Sequence, residues 1–402
     1  NRKMFLKYVK DSSTTTELLS SRDAFKFVGY GHTVLGWRLH IENRFKILLY
    51  RIYGLLWTSL GIYLPIALMI SYVNEFNNFT PGELFTSAQW FSDIPNALVK
   101  ALTLYLSLWR IDKAKELLDE MDKSCIRQEE KLQVHRSVQR CNFIYSLFMG
   151  IYICYPLSTF SAAVMFNGVS AWNVFNPLVN WRDGKWQLWI ASIIEFTEVL
   201  IVVCYHHATD IYPVIYGTTI RLHVDLLRQR VQRLRSDDTK SEEENYAELV
   251  ACIKDHKLIL EYCNILRPLL SRTIFCQFLV IGLLLGLCFT NLFFFSDFWS
   301  GSATVIYIVG CTCESFPFCY ICNTLIEDVE ELTMKIFQSN WLGAPRRYKS
   351  SLIYFLHKAQ QPIRFTAGSI FEISLGTNIS LAKFAFSVVT IVQQFNLADK
   401  LN

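Results

Sequence analysis

Two carboxylates one helical turn apart, Glu195 and Glu198, interrupt the otherwise apolar stretch WIASIIEFTEVLIVVCY. Acids in such a setting are costly and normally face a cavity or a partner. They either bias a pocket toward polar or amine ligands or hold backbone and water, and the structural role is the expectation. A few residues on, His206, His207 and Asp210 suggest metal ligation. Neighbouring histidines on a helix point about 100° apart, so structural hydrogen bonds are expected there and no metal. Cys319-Tyr320-Ile321-Cys322 has the spacing of a redox or zinc motif but lacks a second ligand pair, which leaves small packing residues. No HExxH or GxSxG occurs. The expectation is therefore not an enzyme, with no catalytic residues and no cofactor.

These residues sit in elements of one kind. The chain has 402 residues, 52% of them hydrophobic, 18% charged, with a mean hydropathy of +0.24. Uncharged runs cover Ile52–Val73, Cys141–Trp181 and Thr273–Ser296, and about 20 apolar residues cross a bilayer as a helix. The fold class is all-α: a polytopic seven-transmembrane helical membrane protein. The spans fall near 47–73, 84–108 (with Asp93 and Lys100), 141–166, from about 187, up to about 296, 302–326 and 370–395. The N-terminal segment is polar and basic, unlike a signal peptide.

Charge orients the spans. Segments 1–46, 110–140, 221–272 and 327–350 hold 31 Lys and Arg, against 3 in 74–83, 167–186, 296–303 and 396–402. The positive-inside rule then places the N-terminus in the cytoplasm and the C-terminus outside. The net charge of +4 is a topology signal and implies no nucleic acid. Asn78-Phe79-Thr80 is a glycosylation sequon in an external loop, whereas the one at Asn378 falls inside a span. None of the 12 cysteines lies in an external loop, so no disulfide framework is expected.

The connections are unusually helical. From Trp186 to about Arg235 only Pro213 interrupts, and from Ala247 to Ser296 only Pro268. Fifty helical residues reach about 75 Å, far beyond a core of about 30 Å. Leu249, Cys252, Ile253, His256, Ile259, Leu260 and Cys263 form an apolar stripe on one extension. A cytoplasmic helical bundle below the membrane is expected, with 236–246 a flexible loop.

The segments ELVACIKDHKLILEYCNIL, FCYICNTLIEDVEELTMKIFQSNWL and FLHKAQQPIRFTAGSIFEISLGTNISLAKFAFSVV resemble the insect odorant receptor family, which the chain matches over essentially its whole length. The markers are His256, Ser339 with Trp341, Gln361-Pro362, Ala367-Gly368 and KFAFS at 383–387. Gustatory receptors end in a TY-five-apolar-QF signature; this chain keeps Gln394-Phe395 but has Ser387-Val388 in place of TY, so that reading comes second. A metabotropic receptor would have its N-terminus outside, and no DRY or NPxxY is present. A transporter would show inverted repeats.

The resemblance implies an odorant-specific subunit of a heterotetrameric, odorant-gated, non-selective cation channel. In that family the partner is the shared coreceptor Orco; this chain lacks the coreceptor's long insertion in the second cytoplasmic loop, so it resembles the odorant-specific subunit. It also implies the plasma membrane of olfactory neuron dendrites, membrane lipid and permeating cations as partners, and a small volatile hydrophobic ligand. The seventh helix is split, with 349–369 in the cytoplasmic anchor, 370–395 in the membrane and 396–402 outside; helices 1–4 occupy 47–235 and helices 5–6 occupy 247–348. Ligand-binding positions by this resemblance are Trp90, Phe91, Ile94, Gly150, Tyr152, Cys154, Tyr155, Ser192, Ile193, Phe196, Tyr307 and Cys311, although such residues also serve as plain core. Phe386, Val389, Val392 and Gln393 are the pore and gate positions, with Val389 the constriction and Lys383 turned off the axis; simple packing is the competing reading. His256, Trp341, Gln361, Pro362, Arg364 and Gly368 couple the anchor to the pore helix.

Overall fold

The computed structural model describes residues 18–38, 43–75 and 79–394. Asn78, the C-terminal segment 396–402 and part of the N-terminal segment lie outside the described residues.

Ten α-helices appear in chain order among the described residues: α1 Lys26–Val34, α2 Arg44–Glu75, α3 Pro81–Leu106, α4 Leu108–Lys123, α5 Gln128–Phe160, α6 Lys185–Gln232, α7 Glu242–Phe294, α8 Phe298–Phe337, α9 Arg346–Ala359 and α10 Leu375–Gln394. Six of them, α2, α5, α6, α7, α8 and α10, are long and apolar enough to cross a membrane. The remaining crossing is α3, which carries Asp93 and Lys100, both buried.

With 53 residues, α7 measures about 80 Å, and α6 has 48. Their far halves, with α4 and parts of α1, α5, α8 and α9, enclose one continuous apolar core that includes Leu118, Tyr216, Leu266, Leu325 and Phe355. In the stripe on α7, Leu249, Cys252, His256, Ile259 and Cys263 are buried, as expected for a bundle beyond the bilayer. Helix α4 occupies part of the segment 110–140 that charge alone marks as a polar connection; Ile111, Ala114, Leu117, Leu118 and Met121 make its buried face. A second core, inside the spans, contains Leu64, Trp90, Ile94, Tyr155, Trp172, Val202 and Tyr307.

Three boundaries expected from the sequence are corrected. The loop 236–246 is shorter, because α7 starts at Glu242. Ser241 caps it: its side chain accepts from the Glu244 N–H, and Glu244 accepts from the Ser241 N–H at 2.8 Å. The last crossing starts at Leu375 instead of 370, and the helical anchor ends at Ala359 instead of 369. Between them Pro362 lacks a donor for helix, and the chain forms a two-stranded antiparallel pair, β1 Thr366–Ala367 with β2 Phe371–Glu372. Gly368 makes the turn at φ +60°, and its N–H donates to the Ser271 carbonyl of α7 at 2.9 Å.

Candidate functional site

The membrane bundle holds two adjoining cavities. The larger, about 480 Å³, lies where α3 and α8 begin and where α5 and α7 end. Thr80, the N-cap of α3, and Gly82, Thr86 and Gln89 of α3 line it, with Tyr155 and Thr159 from α5 and Asn291 and Phe294 from α7. Ser300, Thr304 and Tyr307 complete it from α8. Helix α5 runs directly into one π-helical turn, Ser161–Asn167, which ends at Gly168 with φ +68°; such turns often mark functional sites. Ala162, Ala163 and Asn167 of this turn border the cavity, as do Val169, Ser170 and Ala171 beyond it.

Glu195 fixes that segment from the side. Its carboxylate accepts from the Ser170 hydroxyl at 2.7 Å and from the Val174 N–H at 3.1 Å, while Ser170 accepts from the Asn173 N–H at 3.1 Å. A buried carboxylate therefore organises one wall of the cavity from outside its lining. Glu198 is buried one turn further along.

The smaller cavity, about 30 Å³, is lined by Trp90, Asp93, Ile151, Tyr152, Tyr155, Val203, His206, Tyr307, Gly310 and Glu314. Tyr155 and Tyr307 border both spaces, and their ring centroids lie 4.5 Å apart. The Trp90 indole N–H donates to the Tyr155 hydroxyl at 2.5 Å, and the Tyr307 hydroxyl donates to Asp93 Oδ2 at 2.9 Å. An aromatic wall thus rests on a polar floor.

Asp93, His206 and Glu314 form that floor, and Lys100 and Asp210 lie buried against them. Lys100 Nζ donates to Asp210 Oδ1 at 2.7 Å and lies 3.8 Å from Glu314. His206 Nε2 is 3.3 Å from Asp93, and its Nδ1 is 3.6 Å from Glu314 and 3.7 Å from Asp210. The Tyr152 hydroxyl donates to Asp210 at 3.2 Å. Asp93, His206 and Glu314 are close enough to hold a cation, but the Lys100 ammonium already supplies positive charge there. His207 faces elsewhere, its Nε2 3.1 Å from the Tyr145 carbonyl, as the 100° step requires.

Of the twelve ligand positions carried over by resemblance, Trp90, Tyr152, Tyr155 and Tyr307 line a cavity. Ile94, Ser192 and Cys311 are buried beside them, and Phe196 packs edge-on against Phe160 at 5.5 Å. Phe91, Gly150, Cys154 and Ile193 are exposed on the bundle exterior and line neither space. Each is the immediate neighbour of a lining or buried position, and the 100° step between successive residues turns it to another helix face. The positions missed were Asp93, His206 and Glu314. A charge inside a span is the available signal: by sequence Asp93 is only placed within a span, and His206 is given only a structural role.

On α10 Ala385 alone among the described residues is buried. Phe386 stacks on Phe289 of α7 at 5.1 Å, Val389 and Val392 are half-buried, and Gln393 and Lys383 are exposed. In the coupling region the His256 ring lies 5.5 Å from Phe355, and the Trp341 indole donates to the Phe337 carbonyl at 2.9 Å. Arg364 pairs with Glu372 across the β turn at 3.2 Å, while Gln361 and Pro362 are exposed.

Seven crossings, a polar-floored cavity among them and a helical bundle continuous with the longest helices define a multi-pass helical membrane protein in class. The 7tm Odorant receptor family model matches residues 80–386. Two Drosophila melanogaster proteins are close in sequence. Odorant receptor 98a is 45% identical over 99% of both chains, and Odorant receptor 42b is 44% identical over 96% of both. In structure the chain is similar to the insect olfactory receptor OR5 from Machilis hrabei, with a TM-score of 0.76 at 16% identity over 93% of this chain and 98% of that one. The same receptor in complex with eugenol aligns with a TM-score of 0.75. The chain belongs to the insect odorant receptor family, a family of receptors and not of enzymes.

Proposed function

We propose that this protein is the odorant-specific subunit of a heterotetrameric, non-selective cation channel, assembled with the coreceptor Orco in the dendritic membrane of olfactory neurons. A small volatile ligand enters the cavity bounded by Tyr155 and Tyr307, and the channel opens along α10. The aromatic-walled cavity between the crossings carries this reading, since small-molecule sites are concave, largely apolar and marked by a few polar groups. A receptor of the same fold in complex with eugenol supports it.

The N-terminus lies in the cytoplasm and the C-terminus outside, supported by 31 basic residues against 3. Helix α10 lines the pore in this reading: little of it is buried in the single chain, as a helix awaiting subunit neighbours would be. Val389 forms the constriction, where an apolar ring gates by dewetting, and Val392, Gln393 and Phe386 continue that face. Lys383 points off the axis. The segment from Arg346 to Ser374 transmits motion of the anchor to α10 through Gly368 and the β turn. Asn78 carries a glycan on the outer side.

The test is co-expression with the coreceptor and current recording across a panel of volatiles. Odorant-evoked cation current that persists when G-protein signalling is blocked is expected. A receptor that reaches the surface yet stays silent to the whole panel, or signals only through G proteins, would overturn the proposal. Lys383→Gln is expected to leave ion permeability ratios unchanged.

A further inference from the structure

The small cavity has an unusual polar composition for the inner end of an apolar pocket. Its volume of about 30 Å³ suits one oxygen-sized group. Asp93 Oδ1 and both nitrogens of His206 are buried there without a hydrogen-bond partner. The other Asp93 oxygen is taken by Tyr307 at 2.9 Å. The charged groups nearest the His206 nitrogens are the carboxylates of Asp93, Asp210 and Glu314 at 3.3–3.7 Å, ion-pair contacts that leave both nitrogens free to donate to a further acceptor. Both side chains are more than nine-tenths buried and line the cavity.

We infer that Asp93 and His206 form a recognition site for the hydroxyl group of an alcohol or phenol ligand. This rests on the ligand-pocket reading above and names the chemistry its inner end selects. An imidazole carries an N–H in either tautomer, and a carboxylate only accepts. A hydroxyl answers both at once, donating to Asp93 Oδ1 and accepting from a His206 N–H. An ester or ketone oxygen accepts from His206 but leaves Asp93 Oδ1 unpaired. An ammonium satisfies the carboxylates but sets its own N–H groups against those of His206. Hydrocarbon satisfies neither, and an unpaired buried polar group is what makes such a site reject the analogue lacking the hydroxyl. The ligand's carbon chain then lies past Tyr155 and Tyr307 into the larger cavity.

The experiment uses the full-length chain co-expressed with the coreceptor. The probes are straight-chain primary alcohols from butanol to octanol, each paired with its methyl ether. Wild type is expected to respond to the best alcohol at a concentration at least about tenfold below that of its ether. In channels that reach the surface, Asp93→Asn and His206→Gln are expected to shrink that ratio toward one by weakening the alcohol response more than the ether response. Filling the small cavity with Val203→Trp should abolish the alcohol preference.

Equal sensitivity of wild type to alcohols and ethers, or no response to any alcohol, overturns the hydroxyl site without need of a variant. Equal weakening of both probe classes by variants that reach the surface normally also overturns it, by making the pair structural. If Val203→Trp leaves every response unchanged, the cavity holds no ligand, and the pocket reading itself fails. Loss of all responses in Val203→Trp, with a wild-type ratio of one, would sink the hydroxyl site alone.

Discussion

Lys100 shows how a single side chain ties three crossings together. It belongs to α3, is wholly buried, bonds Asp210 of α6 at 2.7 Å and faces Glu314 of α8 at 3.8 Å. Removing one member of a buried charge cluster strands the others, at a cost of about 3–5 kcal/mol. Lys100→Met is therefore expected to lower surface delivery sharply and to reduce the melting temperature in detergent. A variant melting within about 2 °C of wild type would refute a structural role for the ion pair. Glu195 is the second such residue, working through the backbone. Glu195→Gln keeps an acceptor for Val174 and should alter little. Glu195→Leu leaves the Val174 N–H and the Ser170 hydroxyl unpaired, so limited proteolysis between 168 and 180 should accelerate; unchanged cleavage would show that the segment holds itself. Charge in a span was legible in the sequence at both positions. The partners were not, because Lys100 and Asp210 are 110 positions apart and no local spacing brings them together.

At the scale of elements, the segment between α9 and α10 decides how the terminal crossing is attached. Gly368 has φ +60°, and a Cβ there would lie 2.5 Å from Phe275 Cδ2. Gly368→Ala adds about 1–2 kcal/mol of left-handed strain to that overlap. We expect weakened docking of the β turn on α7 and reduced channel opening. Adding Phe275→Ala should restore the steric part only, and full activity of the single variant would disprove tight docking. The sequence marked this stretch clearly, since Pro362 forbids a regular helix and Gly368 permits a turn. It marked it as a helical anchor with a break, however, and not as two short strands. A two-residue strand has no periodicity to read; its partner and the Ser271 carbonyl define it.

For the whole molecule, the bundle beyond the bilayer predicts a response to acid. Burial pushes the His256 imidazole down to about 4, and burial with the nearby Arg230 charge pushes His223 down to about 3. Both are neutral when folded at neutral pH, whereas an unfolded histidine titrates near 6.5. Their contribution is therefore fully present above about pH 6.5 and is lost as pH falls from there toward 4 and 3. The slope is at most about 1.4 kcal/mol per pH unit for each histidine. Melting temperature in detergent should be flat above pH 7 and fall between pH 6.5 and 4, with a shallower fall in His256→Gln. A bundle that gains stability on acidification would contradict this.

The sequence by itself determined the class of molecule, the number of crossings, the long helical extensions and the family. These follow from properties that are local or additive: runs of apolar residues long enough for a bilayer, helical spacing of Leu249 to Cys263, and motifs read in order. Only the tertiary structure decided which side of each crossing faces the cavity. It turned Phe91 and Ile193 outward while keeping Trp90 and Tyr155 inside, and it made α4 part of the core. It also gathered Asp93, Lys100, His206, Asp210 and Glu314 into one buried cluster. In an apolar helix every face reads alike in sequence, because both lipid and a protein interior accept hydrocarbon. What separates them is the neighbouring helix, and long-range packing alone supplies it.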